Sequence, residues 1–367
     1  MTAVPLRVLV DHLAGDRGGN PDLAALYAGL RTGLGVEAAG FGHRTALAGR
    51  WDVLHLNWPE WCLRRDRGRA ALAADCARFL ATVALLRRRG TVVAWTAHNL
   101  WPHEVDRWGL VDRFTRALTY QIDLVLGSCQ AVLDEVQAVH PMLRRAEHRV
   151  VPLAHYRGLY PDQGLTRQQA RAGLGLPADD RILLSLGLVR RYKNAPALVR
   201  CFREVAGPGR FLLIAGQSRD EALSRQLRAE LAGSPRARAD LAFIPADRIQ
   251  YYLRACDAVI VPTSTAVNSG AALLALSFDR PVVVPDRAGL AQLGETAGPG
   301  WVHAYRGGLR PQVLRESFAL EPPAGSPSLA AHEPARVAAL TFEAFTALTG
   351  RGDVPAPARP TEGVRTR

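Results

Sequence analysis

The chain has 367 residues, 48% of them hydrophobic and 22% charged, which excludes disorder and collagen-like sequence. That length exceeds what one hydrophobic core organises, so two domains are expected. Five scattered cysteines, Cys62, Cys76, Cys129, Cys201 and Cys256, show no metal-ligand pairing and read as reduced thiols of a cytoplasmic protein. Lys+Arg 46 against Asp+Glu 34 leaves a net charge of +12, which favours an anionic partner such as a nucleotide, a phospholipid surface or nucleic acid.

Short apolar runs alternate with amphipathic stretches. In the first half the expected strands are Leu6–Val10, Val53–Leu56, Val92–Thr96, Leu124–Gly127 and Arg149–Val151, with helices at Leu23–Leu34 and Arg69–Arg89. The opening burst lacks the long apolar region of a signal peptide, and no run approaches the ~20 residues of a membrane span. The second half repeats the style. Its strands are Ile182–Leu186, Phe211–Ala215, Leu241–Phe243, Ala258–Val261 and Val282–Val284. Its helices are Ala195–Val205, Asp220–Leu231, Ala246–Ala255 and Gly270–Ser277. Strands separated by helices imply parallel sheets, so the fold class is α/β, with two doubly wound domains in tandem. Ligands bind such sheets at the carboxyl ends of the strands, which places the expected site in the cleft between the domains. A glycine- and proline-rich divide falls between Tyr156 and Arg181. The domains are therefore expected at 1–158 and 165–330, followed by a closing helix at 331–349 and a disordered tail at 350–367.

Chemistry-bearing residues cluster at strand ends. The first loop, Asp11 to Pro21, lacks the G-x-G-x-x-G spacing of a dinucleotide site. Its Gly18 and Gly19, with Asn20 following, allow backbone amides to approach a phosphate or sugar, or form a tight turn before a helix. Next, Asn57, Trp58, Glu60 and Trp61 set aromatic faces beside hydrogen-bonding groups, an arrangement suited to a sugar ring or to a core tryptophan pair. His55, inside its strand, reads as a satisfied core histidine. The third strand runs into His98, Asn99, His103 and Glu104. His98 has the pKa range for proton transfer, and Glu104 is a candidate to orient a histidine or act as a base. The interrupting proline and the strand-end context are not those of a helical metal motif, so no metal is expected. Lys193 is the only lysine among the 46 basic residues. It sits with Arg190 and Arg191 behind Gly187 at the start of a helix, a cationic cluster suited to a diphosphate. Asn268, Ser269 and Gly270 open a small-residue helix and suit a second phosphate or sugar contact, or an ordinary N-cap.

These stations, in this order, resemble a glycosyltransferase of the GT-B fold, in the group 1 or family 4-like branch. The resemblance runs from residue 6 to about 300. It rests on Gly19-Asn20-Pro21, His55-Leu56-Asn57-Trp58-Pro59, Thr96-Ala97-His98-Asn99 with Pro102-His103-Glu104, and Pro152-Leu153-Ala154-His155-Tyr156. In the second half it rests on Gly187 with Arg190 and Tyr192-Lys193-Asn194, and on Asn268-Ser269-Gly270 with Arg280-Pro281-Val282-Val283. It implies two Rossmann-like domains with a nucleotide-sugar donor on the carboxy-terminal one, where Gly187, Arg190, Lys193, Asn268, Ser269 and Gly270 contact it. The acceptor, a sugar, a lipid-linked saccharide or a small molecule, falls to the amino-terminal domain beside Gly18, Gly19, Asn20, Asn57, Trp58 and His155, with His98 and Glu104 catalytic. Retaining members carry two glutamates eight positions apart, and this chain has Ala266 and Leu274 there. It is thus a divergent relative whose stereochemistry stays open. No cofactor and no nucleic acid are expected. A nucleotide-sugar epimerase is the rival enzyme. The rival without chemistry is a binding protein whose arginines from Arg64 to Arg89 lie on an anionic membrane surface.

Overall fold

The structure, a computed structural model, describes residues 5–13, 20–63, 68–100, 108–263 and 268–350. The first lobe runs β1 (Arg7–Val10), α1 (Pro21–Leu34), β2 (Glu37–Gly40), α2 (His43–Ala48), β3 (Val53–Leu56), α3 (Arg69–Arg88), β4 (Val92–Thr96), α4 (Trp108–Thr119), β5 (Leu124–Gly127), α5 (Gln130–Val139) and β6 (Glu147–Val150). The second continues with α6 (Arg167–Leu174), β7 (Arg181–Leu186), α7 (Ala195–Arg203), β8 (Arg210–Ala215), α8 (Glu221–Leu231), β9 (Ala237–Asp240), α9 (Ala246–Ala255) and β10 (Ala258–Ile260). It ends with α10 (Gly270–Ser277), β11 (Val282–Pro285), α11 (Ala288–Ala297), β12 (Val302–Tyr305), α12 (Pro311–Ala319) and α13 (Pro334–Thr349).

Each lobe is one six-stranded sheet, in the orders β2-β1-β3-β4-β5-β6 and β12-β11-β10-β7-β8-β9. Every strand pairing in both is parallel. The central strands are short apolar runs buried along their whole length, such as Val-Leu-His-Leu in β3 and Val-Val-Val-Pro in β11, because helices cover both faces of a parallel sheet. The expected strand at Leu241–Phe243 is a correction. Phe243 is 69% exposed, and the strand at that edge is the more polar Ala-Arg-Ala-Asp of β9.

Helix α13 leaves the second lobe and packs on α1. Its Val337, Phe342 and Phe345 join Leu23, Tyr27 and Leu30 in the core beneath the first sheet. The linker is tied to the second lobe and to the α13 return, since Tyr156 N–H donates to Ser277 Oγ on α10 at 2.9 Å and His155 N–H donates to the His332 carbonyl at 2.8 Å. The carboxyl ends of the two sheets are thereby held towards each other. Arg287, opening α11, lies 3.7 Å from Glu135 on α5. No helix among the described residues is long and apolar enough to cross a membrane. The closing residues 351–367 lie outside the described residues.

Candidate active site

The first lobe's polar cluster is built on Asp11, directly after β1. Its side chain is 0% exposed. It accepts hydrogen bonds from the backbone N–H groups of Asn57 at 2.8 Å and Trp58 at 2.9 Å, and from Asn57 Nδ2 at 3.2 Å. Burial pushes its pKa up, but His12 and the two N–H groups outweigh that and hold it below the ordinary carboxylate value. His12 answers from the next position, with Nδ1 3.5 Å from Asp11 Oδ2, a charge contact rather than an aligned hydrogen bond. Burial pulls the His12 pKa down, yet Asp11, with a smaller part from Glu60, raises it above its usual value. The His12 ring stands edge-on to Trp58 at 5.6 Å, and the His98 ring stacks on Trp58 at 4.5 Å. Glu60 completes the group. Burial is the main cause that pushes its carboxyl to about 7, reinforced by Asp11 and opposed by His12 and a hydrogen bond from Asn99. Glu60 and Asn99 line a mostly apolar pocket, open to solvent, with Leu100, Phe114 and Leu118.

His98 is brought here, but as a neutral ring. Burial, with His55 beside it, depresses its pKa to about 4, and its Nε2 pairs with Asn57 Oδ1 at 3.2 Å. Asn57 is 3% exposed and its amide is spent on Asp11 and His98. The reading of Asn57 as an acceptor contact is corrected only in part: its amide braces the cluster, while the residue still lines the pocket beside Glu60. Asn20 N-caps α1 by accepting from Asp22 N–H at 2.9 Å. His155 is also corrected. It is 6% exposed in the linker, with Nε2 3.1 Å from Glu333 Oε1, so it ties the α13 return to the linker rather than lining the cleft. His55 is the satisfied core histidine expected, since the Tyr27 hydroxyl pairs with Nδ1 and Thr96 Oγ1 with Nε2, both at 2.7 Å. Gly18, Gly19 and Glu104 lie outside the described residues.

In the second lobe β7 ends at Leu186, and Gly187 turns at φ +115° against Gly216 at φ +139°. A Cβ on Gly216 would lie 2.2 Å from the Gly187 carbonyl oxygen, so only glycine lets the β7 and β8 loops touch. Lys193 folds back onto this turn, its Nζ 3.2 Å from where a Gly187 Cβ would stand. Burial, with Arg190 nearby, lowers its pKa to about 8, and no carboxylate among the described residues opposes these effects. Ser269 is the N-cap of α10, accepting from Ala272 N–H at 3.2 Å. Asn268 and Ser269 line an interdomain pocket, open to solvent, with Ser128 and Leu153 from the first lobe and linker and Gly289 and Leu293 from α11. Among the described residues no group of three or more His, Cys, Asp or Glu is placed to hold a metal ion.

Asp11, His12 and Asp22 carried no assignment in the sequence. Their signal was only position, a polar pair after the first strand and an acid in the first turn of α1.

Residues 166–304 match the family described as Glycosyl transferases group 1. Over 336 residues the chain is 31% identical to a GDP-mannose:glycolipid 4-beta-D-mannosyltransferase of Xanthomonas campestris pv. campestris, covering 90% of this chain and 89% of that one. Among solved structures, HepE of Anabaena in complex with UDP and glucose superposes with a TM-score of 0.60 at 13% identity, covering 95% and 96% of the two chains. The sucrose-phosphate synthase of Thermosynechococcus elongatus gives 0.60 at 16% identity over 94% and 95%. With twin parallel sheets, a cleft between their carboxyl ends and a relative matched along nearly its whole length, this chain belongs to the group 1 glycosyltransferases of GT-B fold and is a hexosyltransferase.

Proposed function

We propose that the enzyme transfers a hexose from a nucleoside diphosphate sugar, GDP-mannose being the first candidate, to a hydroxyl of a glycolipid saccharide, with inversion and without a metal ion. Donor and acceptor follow the words used for the 31% identical relative. With an α-linked nucleotide hexose a β product means inversion, by one in-line displacement that needs a base on the attacking hydroxyl. The observation that carries the reading is the Asp11–His12 pair, a buried anion fixed by backbone N–H groups beside a half-exposed imidazole.

In this mechanism the acceptor hydroxyl attacks the anomeric carbon and its proton passes to His12. The bond from the anomeric carbon to the diphosphate oxygen breaks, and the diphosphate leaves with the electron pair. Arg190, Lys193 and the amino terminus of α10 stabilise the departing charge, supplying by fixed protein groups what a metal would otherwise supply. Asp11 stabilises the imidazolium, and Trp58 with His98 offers an aromatic face to the acceptor ring. The absence of carboxylates at Ala266 and Leu274 fits a mechanism with no donor-side nucleophile. The epimerase reading is not favoured, because the matched relative is named a transferase. A lipid-linked acceptor would bring the protein to a membrane surface, where the exposed Arg69 and Arg88 of α3 suit anionic headgroups.

The test is product analysis. GDP-mannose and UDP-glucose are each incubated with the enzyme and a saccharide acceptor, with and without a chelator, and the new linkage is read by NMR. A β linkage formed equally well with chelator is expected. An α linkage overturns the inverting mechanism, and chelator-sensitive turnover overturns the metal-free one.

A further inference from the structure

Two helices begin against each other between the lobes. α1 carries Asp22 in its first turn, and α10 starts at Gly270. The Asp22 carboxyl lies inside this contact and is hydrogen-bonded by the Tyr156 hydroxyl. A Cβ at Gly270 would stand 2.6 Å from Tyr156 Oη and 3.5 Å from Asp22 Oδ2. Asp22 Oδ1 is fully enclosed and has no hydrogen-bond partner among the described residues. The amino end of α10 carries partial positive charge and favours an anion, and a carboxylate of the other lobe already sits against it.

We propose that the Asp22 carboxylate is a resident anion at the α10 amino terminus, which an incoming donor diphosphate neutralises, so that donor binding draws one proton from solvent onto this carboxyl. The inference rests on the proposed donor site. A charged carboxylate and a diphosphate at one helix end repel each other, and the repulsion is relieved when a solvent proton binds a carboxyl oxygen. No other bond changes. Burial already raises the group to about 6, against the Tyr156 hydrogen bond that favours the charged form, so the ligand has only a short way to push it. Among the described residues the titratable groups facing Asp22 are Tyr156 and Tyr160, both neutral because burial, with Asp22 beside them, raises their pKa values. From α10, Gly270 and the residues after it through Ser277 carry no charge. Lys193 belongs to the opposite end of the donor site and titrates separately, at about 8.

The experiment is calorimetric binding of GDP to the intact chain at pH 7.5, in two buffers of different ionisation enthalpy. The wild type is expected to take up close to one proton more than Asp22→Asn. The variant is expected to bind GDP about thirty-fold tighter, because the cost of protonating a group 1.5 units below the working pH is gone. Equal proton counts, or equal or weaker binding by the variant, overturn the proposal. Tyr156→Phe is the second arm, since losing its hydrogen bond raises the Asp22 pKa and moves the midpoint of uptake to higher pH. An unmoved midpoint removes Asp22 as the linked group. Failure of the wild type to bind GDP or UDP at any pH overturns the donor reading and the inference together, whereas binding without the extra proton overturns the inference alone.

Discussion

At the scale of single residues the two histidines on Trp58 have opposite characters. His12 is 39% exposed and faces a carboxylate that stays ionised, so it binds a proton more readily than a free imidazole. His98 is enclosed, pairs with an amide and has His55 beside it, so burial keeps it neutral through the physiological range. A base must accept a proton in the transition state, so the proposed mechanism gives that work to His12 and leaves His98 to shape the pocket. Asp11→Asn tests the division. The asparagine keeps an oxygen for the Asn57 and Trp58 N–H groups, which both donate to Oδ2, but loses the charge that raises His12. We expect kcat/KM to fall by about 10²- to 10⁴-fold, nucleotide affinity to hold, and the acid limb of the pH profile to move to lower pH. The sign follows from His12, whose base form appears only above its raised pKa. An acid limb that stays in place would remove His12 from the reaction.

At the scale of elements the loop proposed to hold the donor depends on two glycines. Gly187 and Gly216 hold positive φ where the β7 and β8 loops meet, and this contact fixes the turn on which the Lys193 amine rests. Gly216→Ala puts a methyl 2.2 Å from the Gly187 carbonyl, so the β7 loop must move and carry Lys193 with it. The expected cost is about 1–3 kcal/mol of stability, with weakened nucleotide binding and an unchanged Asp11–His12 site. Thermal unfolding and nucleotide titration check it, and full affinity in a folded variant would contradict it. The same elements show what the sequence discloses. Strands β3, β4 and β5 lie where their apolar runs say, because a strand buried on both faces must be apolar throughout. The edge strands β2 and β9 were illegible. Glu-Ala-Ala-Gly in β2 and Ala-Arg-Ala-Asp in β9 bury only part of their surface, so nothing periodic marks them. Lys193 stood out by being the sole lysine. Asp11 did not, because its meaning lies in N–H groups 46 and 47 positions further along.

For the molecule as a whole, α13 joins the lobes by completing the first one's core. Phe345 is 0% exposed and packs edge-on to the His55 ring at 5.2 Å, which helps keep that imidazole dry and its pKa near 4. His98 is depressed to the same level, and His43, His140, His148 and His332 are lowered by burial as well. The unfolded chain binds protons at these rings from about pH 6.5 downward, while the native state refuses them, so their contribution is complete above pH 6.5 and is lost towards pH 4. Asp22 and Glu60, raised to about 6 and about 7, oppose this together with the raised His12, since the native state holds protons there that the unfolded chain releases. Their contribution is complete at low pH and disappears as pH rises through those values. The lowered histidines outnumber the raised carboxyls, so the unfolding midpoint should drop between pH 7 and pH 5. Glu60→Gln removes one of the opposing groups and should make that drop steeper, while stabilising the protein at pH 8, where the parent must bury a charge. Calorimetric scans at matched ionic strength decide the matter. A variant whose midpoint tracks the parent at every pH would mean that Glu60 titrates like an exposed carboxyl and is not part of a buried catalytic cluster.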